Sequence, residues 1–495
     1  MKRILPFWAF ILCCAQGFGG TLLVPSETYT TIQNAINDAN NGDTIIVAQG
    51  IYFENIDFSG KAVTLRSTDP NDPHVVADTI IDGSNPNDPN IASVVTFKTD
   101  EGPNSVLSGF TIRRGTGQSD PCGASWYWKG TDGGGVFCRG ASPTITKNIF
   151  KGCQAEYGGG AIYCHDQASP LISENTFLDN YAGWYGGAIF ARLNSSPTIS
   201  NNIFKYNQCH YLGGAIYLAD HSYSKVTGNW IEENISTVLS GGGIYYFVNS
   251  TPVIANNFFI NNTSKVTGSG IMASANSTGW IINNVFQDNK LTQATTYGAV
   301  LGIYTNPIIA NNIIADNQGN GFWVGSEAYP AIHNNNVWNC ALAKYAGEIT
   351  DLTGMNGNIS AQSQIGPALP EPLTSYELHP NSPCIDAGSD SHLPPSLVND
   401  YDGSTRSVGP AVDIGPQEYN MTAIPKDHPT IQQAINAALS GDEIIVLPGF
   451  YQENLNFLGK NLTLRSLNPI DVNCVENTIL DGNDLASCIT LNSGE

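Results

Sequence analysis

Three features of the sequence predict an all-β chain wound as a right-handed parallel β-helix. An aromatic or branched apolar residue recurs at Phe150, Phe177, Phe204, Ile231, Phe259, Phe286, Ile314 and Trp338, at a step of about 27 residues. A second apolar series, Val136, Ile162, Ile189, Ile216, Ile244 and Ile271, follows glycine-rich pairs at the same step. Asparagines keep that step twice over. Asn148, Asn175, Asn202, Asn229, Asn257, Asn284, Asn312 and Asn336 precede the first apolar series by two, and Asn180, Asn207, Asn234, Asn262, Asn289 and Asn317 follow it by three.

Each feature justifies one part of a coil. Runs such as AIY, PTIS and NIF alternate over too few residues for a helix and are broken by Gly, Asn or Ser. Strands that short must pair with the next copy, so one repeat becomes one coil and each coil advances about 4.8 Å. An asparagine amide at each turn donates to one neighbouring coil and accepts from the other, and Asn tolerates a left-handed corner. Both series are read as structural ladders.

Composition agrees. The chain has 51 Gly, 41% hydrophobic and 13% charged residues, a mix suited to short strands and tight turns. Its 43 acidic against 21 basic residues give a net charge of −22, which repels phosphate backbones and argues against nucleic acid. The same field disfavours a polyanionic sugar unless Ca2+ bridges the two, and Ca2+ is the one cofactor left open. Residues 1–20, MKRILPFWAFILCCAQGFGG, have the basic start, apolar stretch and small-residue end of a signal peptide, with Ala15-Gln16-Gly17 as the cleavage site. No later segment is apolar for the roughly 20 residues that a membrane-spanning helix needs, so an extracellular or cell-surface location is expected. There is no C-x-x-C pair or zinc spacing. Cys138 and Cys164 fall at one inward register on adjacent coils and are read as buried free thiols.

The Gly-Gly-Ala-Ile and Phe-x-x-Asn phrases resemble the repeats of pectin-lyase-like secreted β-helix proteins and are similar to those of chlamydial polymorphic outer-membrane proteins. The resemblance runs from Gly133 to about Trp338. It implies the fold, which carries lyases, hydrolases, esterases, epimerases and adhesins alike.

At the start, Ile32, Ala35, Ile36 and Ala39 lie at helical spacing before Gly42, which predicts a short amphipathic helix covering the open first coil. This opening resembles the amino-terminal region of pectin methylesterases, but the esterase set of two aspartates, an arginine and glutamines has no counterpart on the central coils. Residues Leu378 to Tyr419 resemble the bacterial segment called choice-of-anchor Q. There, Asp400-Tyr401-Asp402-Gly403 offers either calcium oxygens or an ordinary turn. The opening then recurs, Ile431 matching Ile32, Gly449 matching Gly50 and Arg465 matching Arg66. The expected organisation is a signal peptide (1–20), cap and first coils (21–115), regular repeats (116–340), a closing segment (341–420), and the cap and first coils of a second, truncated β-helix (421–495).

Chemistry should lie where the copies differ. Phe137, Tyr163, Phe190, Tyr217 and Tyr245 follow the inward series by one and form a stripe, either open to solvent or covered by a loop, a partner or the core itself. Tyr157, Trp184 and Tyr211 precede it by five, with Trp126 and Trp128 in an insertion beside them. Stacked rings suit the apolar faces of sugars and their polar edges suit hydroxyls, so these five are the candidate carbohydrate-binding residues. Three coils then bring His165-Asp166, Arg192 with Asn194, and Asp220-His221 to one turn, with the two aspartates roughly 10 Å apart. Carboxyl separations of roughly 6.5–9.5 Å suit an inverting glycoside hydrolase, whereas an arginine between acids suits a Ca2+-assisted lyase. The candidate catalytic residues are Asp166, Arg192, Asp220 and His165, against a plain solvated corner. Two functions stay open: engagement of extracellular polysaccharide, with or without cleavage, and a noncatalytic adhesion or spacer protein whose aromatic faces contact other proteins.

Overall fold

The computed structural model describes residues 19–119, 130–293, 297–367, 376–379, 381–406, 410–419, 422–424, 428–467, 469, 472–483 and 486–491. Most of the signal-peptide segment, Cys122, Trp126 and Trp128 lie outside the described residues. The chain forms two compact units. The first holds Met1–Lys225, Asn229–Thr251 and Asn262–Lys265, and the second holds Val226–Gly228, Pro252–Asn261 and Val266–Glu495.

In the first unit a typical coil has four strands, Leu171–Ser173, Thr176–Leu178, Tyr181–Ala182 and Ile189–Ala191. Each pairs in parallel with its counterpart one repeat on: Ile172 with Ile199, Phe177 with Phe204, Ala182 with Cys209, and Ile189 with Ile216. Those middle or inward residues are fully buried. The Phe150, Phe177 and Phe204 rings stack nearly parallel, with centroids 5.0 and 4.6 Å apart.

The asparagines line up along the axis. Asn202 Oδ1 accepts from both the backbone and side-chain nitrogens of Asn175, while its own amide donates to Asn229 Oδ1 and to the carbonyls of Ile172 and Ser200. The second row runs Asn180, Asn207, Asn234 and Asn262 and begins on Cys153, whose N–H donates to Asn180. The left-handed corner, however, falls on the residue before each rung: Glu174, Asp179, Asn201 and Tyr206 have φ of 54 to 59°, and no rung is left-handed. The rung's amide must lie inside, so its neighbour turns the chain. In the second unit one row continues through Asn257, Asn284, Asn312, Asn335 and Asn358. Asn335 rather than Asn336 is the rung, and Val337 rather than Trp338 faces inward opposite Ile314. The step there contracts to 23 residues, which moves the register one place from the repeated phrase.

The helix Ile32–Asp38 buries Ile32, Ala35 and Ile36 and starts on Thr31, whose Oγ1 accepts from Asn34 N–H. It ends four residues before Gly42. Lys61 Nζ collects the carbonyls of Ile36, Asn37 and Ala39, and the Glu54 carboxylate takes the N–H groups of Ile32 and Gln33. The same clamp recurs with Lys460 and Glu453 around the helix Ile431–Ala437.

In the second unit the outward positions of one sheet change from the Thr144, Thr146, Thr198 and Ser200 type to Val253, Ala255, Trp280, Ile282, Ile308 and Ala310. Leu393 and Leu397 of the closing segment pack on them. A further asparagine column, Asn256, Asn283, Asn311 and Asn334, bonds Asn399, Asp413 and Gly415, Ser389, and Ala387 respectively. Asp400 gives its oxygens to the N–H groups of Ser404 and Glu418, and Asp402 accepts from Gln417. The Asp-Tyr-Asp-Gly run is thus built as a hydrogen-bonded turn. Cys138 and Cys164 are register partners, both buried and free, with burial raising their pKa values. No described helix is long and apolar enough to cross a membrane.

Candidate functional site

The site grows from one sheet of the first unit, the strands Val95–Phe97, Val136–Arg139, Ile162–His165, Ile189–Ala191, Ile216–Leu218 and Ile244–Tyr246. Ile162 and Cys164 face the core, so Tyr163 faces out. Yet the outward stripe is closed to solvent, Phe137, Tyr163, Phe190, Tyr217 and Tyr245 being 1 to 7% exposed. The glycine-rich turns fold back over it. Gly159 takes a left-handed φ of +64°, and a Cβ on Gly158 would stand 2.2 Å from Phe190 Cδ1. Of the two readings of the stripe, cover by a loop is the one realised, and the chain's own turns supply the loop.

A second aromatic layer lies on that roof. Tyr157 meets Tyr185 edge-on at 5.3 Å, and Tyr185 stacks on Tyr217 at 4.8 Å. Trp184 stacks on Tyr211 with centroids 4.3 Å apart and planes 18° from parallel, and Tyr157 lies 6.5 Å from Trp184. Tyr157, Trp184 and Tyr211 are half-buried and form one ledge across three coils. Tyr185 was missed from the sequence because its register holds Gly158 and Leu212 on either side, as the bridges between these backbones show. Burial pushes the Tyr157 hydroxyl up to about 12.

Beside the ledge, the strand ends carry a basic column. Arg139 pairs in register with His165; Cys164 pairs with Ala191, which sets His165 beside Arg192; Phe97 pairs with Cys138, which sets Lys98 beside Arg139. The insertion between Lys98 and Arg139 hides the column from a count of 27. Each cation faces an acid: Lys98 with Asp57 at 2.9 Å, Arg139 with Asp166 at 3.7 Å, and Arg192 with Asp220 at 3.7 Å. Asp166 and Asp220 do share the left-handed corner, with φ of 59° and 55°. They nevertheless belong to separate ion pairs, and Arg192 is not the partner of both. His165 is buried and stacks on Tyr163 at 5.4 Å.

Arg192 joins the two groups. Its guanidinium lies 5.8 Å from the Phe190 centroid. Burial works against its charge, but Tyr163, Tyr157, Asp220 and Asp132 around it outweigh that and hold its pKa above the ordinary value. The corner and the ledge are therefore neighbours. At the other end of the column, Lys98, Asp100, Gln118, Phe137, Arg139 and Asp166 line a cleft of about 600 Å³. Its flank includes the antiparallel strands Ile91–Ala92 and Gly117–Ser119, which pair with each other.

Coils of this geometry define the class: a right-handed parallel β-helix. The family described as right handed beta helix region matches residues 125–264 and 236–364. Among solved structures the chain is similar to pectate lyase Pel9A, at 13% identity over 82% of this chain and 98% of the other, with a TM-score of 0.42. It is similar to XylC in complex with xylose at 11% identity, 80% and 98% coverage and a TM-score of 0.42. It is also similar to a mannuronic acid specific polysaccharide family 6 lyase from human gut microbiota, at 13% identity, 69% and 91% coverage and a TM-score of 0.34. No curated protein matches the sequence.

Proposed function

We propose that this is an exported protein that binds extracellular polysaccharide along the ledge of Tyr157, Trp184 and Tyr211, with Arg192 and Asp220 holding hydroxyl or carboxylate groups at its edge. The observation that carries this reading is the Trp184–Tyr211 stack, half-open to solvent and one coil apart. Sugars offer one apolar face and a rim of hydroxyls, and the ledge is apolar in the middle and charged at its edge. Because the long aromatic stripe is covered by the protein's own turns, it is not available as the contact surface that an adhesion or spacer reading requires. Binding is favoured over cleavage because Asp166 and Asp220 hold different arginines rather than flanking one point.

The test is native affinity electrophoresis through gels containing single polysaccharides, with and without Ca2+. Retardation of the parent protein that persists unchanged in Trp184→Ala removes the ledge. Reducing ends released without unsaturation would make the protein a hydrolase, and reducing ends with an unsaturated product a lyase; either one, lost in Arg192→Lys, would overturn the binding-only reading.

A further inference from the structure

A second cluster on another sheet of the first unit departs from the repeat. Ile203–Lys205 and Trp230–Glu232 are adjacent strands with Ile203 opposite Trp230 and Lys205 opposite Glu232. At the same register the earlier coils carry Thr176 with Leu178 and Ile149 with Lys151. Phe204 and Ile231 face inward, so the other four side chains face out. They are tied in series. The Trp230 indole N–H donates to Glu232 Oε2 at 2.9 Å; Glu232 pairs with Lys205 at 3.1 Å; Lys205 Nζ sits 5.2 Å from the Tyr206 ring centroid; and Tyr206 lies in register beside Glu233, both at left-handed corners. Tyr206 nevertheless stays 47% exposed and Ile203 46% exposed.

Here the Trp230 orientation is fixed by the bond at its edge and Lys205 is held over the Tyr206 ring, which sets two rings beside an anchored carboxylate and one ammonium. Prefixed rings and acceptors lower the ordering cost of a ligand that is apolar on a face and rich in hydroxyl donors. Two carboxylates against one ammonium leave the patch net negative in a chain of net charge −22, which turns away carboxylated or sulfated chains.

We propose that Trp230 and Tyr206, with Glu232, Glu233 and Lys205, form a second carbohydrate-binding site, specific for neutral polysaccharide and separate from the ledge. It rests on the reading that the protein binds polysaccharide, but on different residues. Two sites on one molecule raise the apparent affinity for a polymer that reaches both.

The test is affinity electrophoresis of the full chain in gels of neutral glucan, xylan and mannan, and of polygalacturonate and alginate. Tyr206→Asn keeps the left-handed corner, because Asn occupies such corners elsewhere, as at Asn201, and it removes the ring. Trp230→Ala removes the other. Each variant should weaken apparent binding to the neutral polymer at least threefold, and either combined with Trp184→Ala should weaken it further. Unchanged binding in both single variants, or binding confined to the acidic gels, overturns the proposal. Loss in Tyr206→Asn with none in Trp184→Ala would remove the ledge and leave this site standing, and the reverse pattern would remove only this site. A parent protein retarded by none of the polymers sinks both.

Discussion

Replacing Asn202 by Ala puts the ladder to a numerical test. The side chain is buried and makes five hydrogen-bond contacts: two accepted from Asn175 and three donated, with one of its two N–H hydrogens shared, to Ile172 O, Ser200 O and Asn229 Oδ1. The truncation does not orphan all of their partners. Asn229 Oδ1 keeps the Asn202 N–H at 3.0 Å, and the Asn175 amide keeps the carbonyls of Ile145 and Ser173. The Asn175 backbone N–H loses its acceptor. One buried orphan at about 1–3 kcal/mol and net losses of about 0.5–1 kcal/mol for each of the other four sum to about 3–7 kcal/mol. Stacked coils open locally rather than as one cooperative whole, so the readout is native-state amide exchange rather than a single melting curve. The opening free energy at Asn175 N–H should fall by that amount, and that at Asn202 N–H by less, because its bond to Asn229 survives. The control is the residue next door: Asn201 is exposed and left-handed, and Asn201→Gly should cost less than about 1 kcal/mol. If the two variants lie within about 1 kcal/mol of each other at Asn175, the amide column does not hold the coils together and the reasoning fails.

Two further outcomes follow from the geometry. Gly158→Ala should cost about 1–3 kcal/mol in thermal stability and weaken polysaccharide retardation, since its Cβ displaces Phe190 from beneath Tyr157; Gly152→Ala, with open space around it and only a left-handed φ of +62° to pay for, should leave retardation unchanged. In the closing segment, burial raises the Asp413 carboxyl to about 6, although the N–H groups of Asp386 and Tyr419 pull it down. A raised acid stabilises the fold fully below its unfolded value near 3.8 and loses that contribution as pH rises through 6, here about 2–3 kcal/mol. Amide exchange at Asp386 and Tyr419, corrected for intrinsic rates, should therefore show less protection at pH 7.5 than at pH 4, and Asp413→Asn should flatten the difference.

What the sequence determined by itself is everything that depends on the step along the axis. A residue's vertical neighbour is the residue one coil on, so a period of about 27 residues was enough to place the Phe stack, both amide columns and the Tyr157, Trp184 and Tyr211 row beside one another. Where the step changed the reading slipped, as at Asn335 and Val337. Where an insertion intervened, as between Lys98 and Arg139, a column went unseen. The outward change to Val253, Trp280 and Ile308, and its cover by Leu393 and Leu397 of the closing segment, were not read from the repeat, because no period links the two. Lateral contacts came from packing alone: the turns that roof the Tyr163 stripe, the choice of Arg139 rather than Arg192 as the partner of Asp166, and the meeting of Arg192 with Tyr157. Stacking repeats one translation and so can be counted along the chain. Contacts around a coil depend on how each turn bends, and the backbone settles that only when the glycines, left-handed corners and ring volumes are packed together.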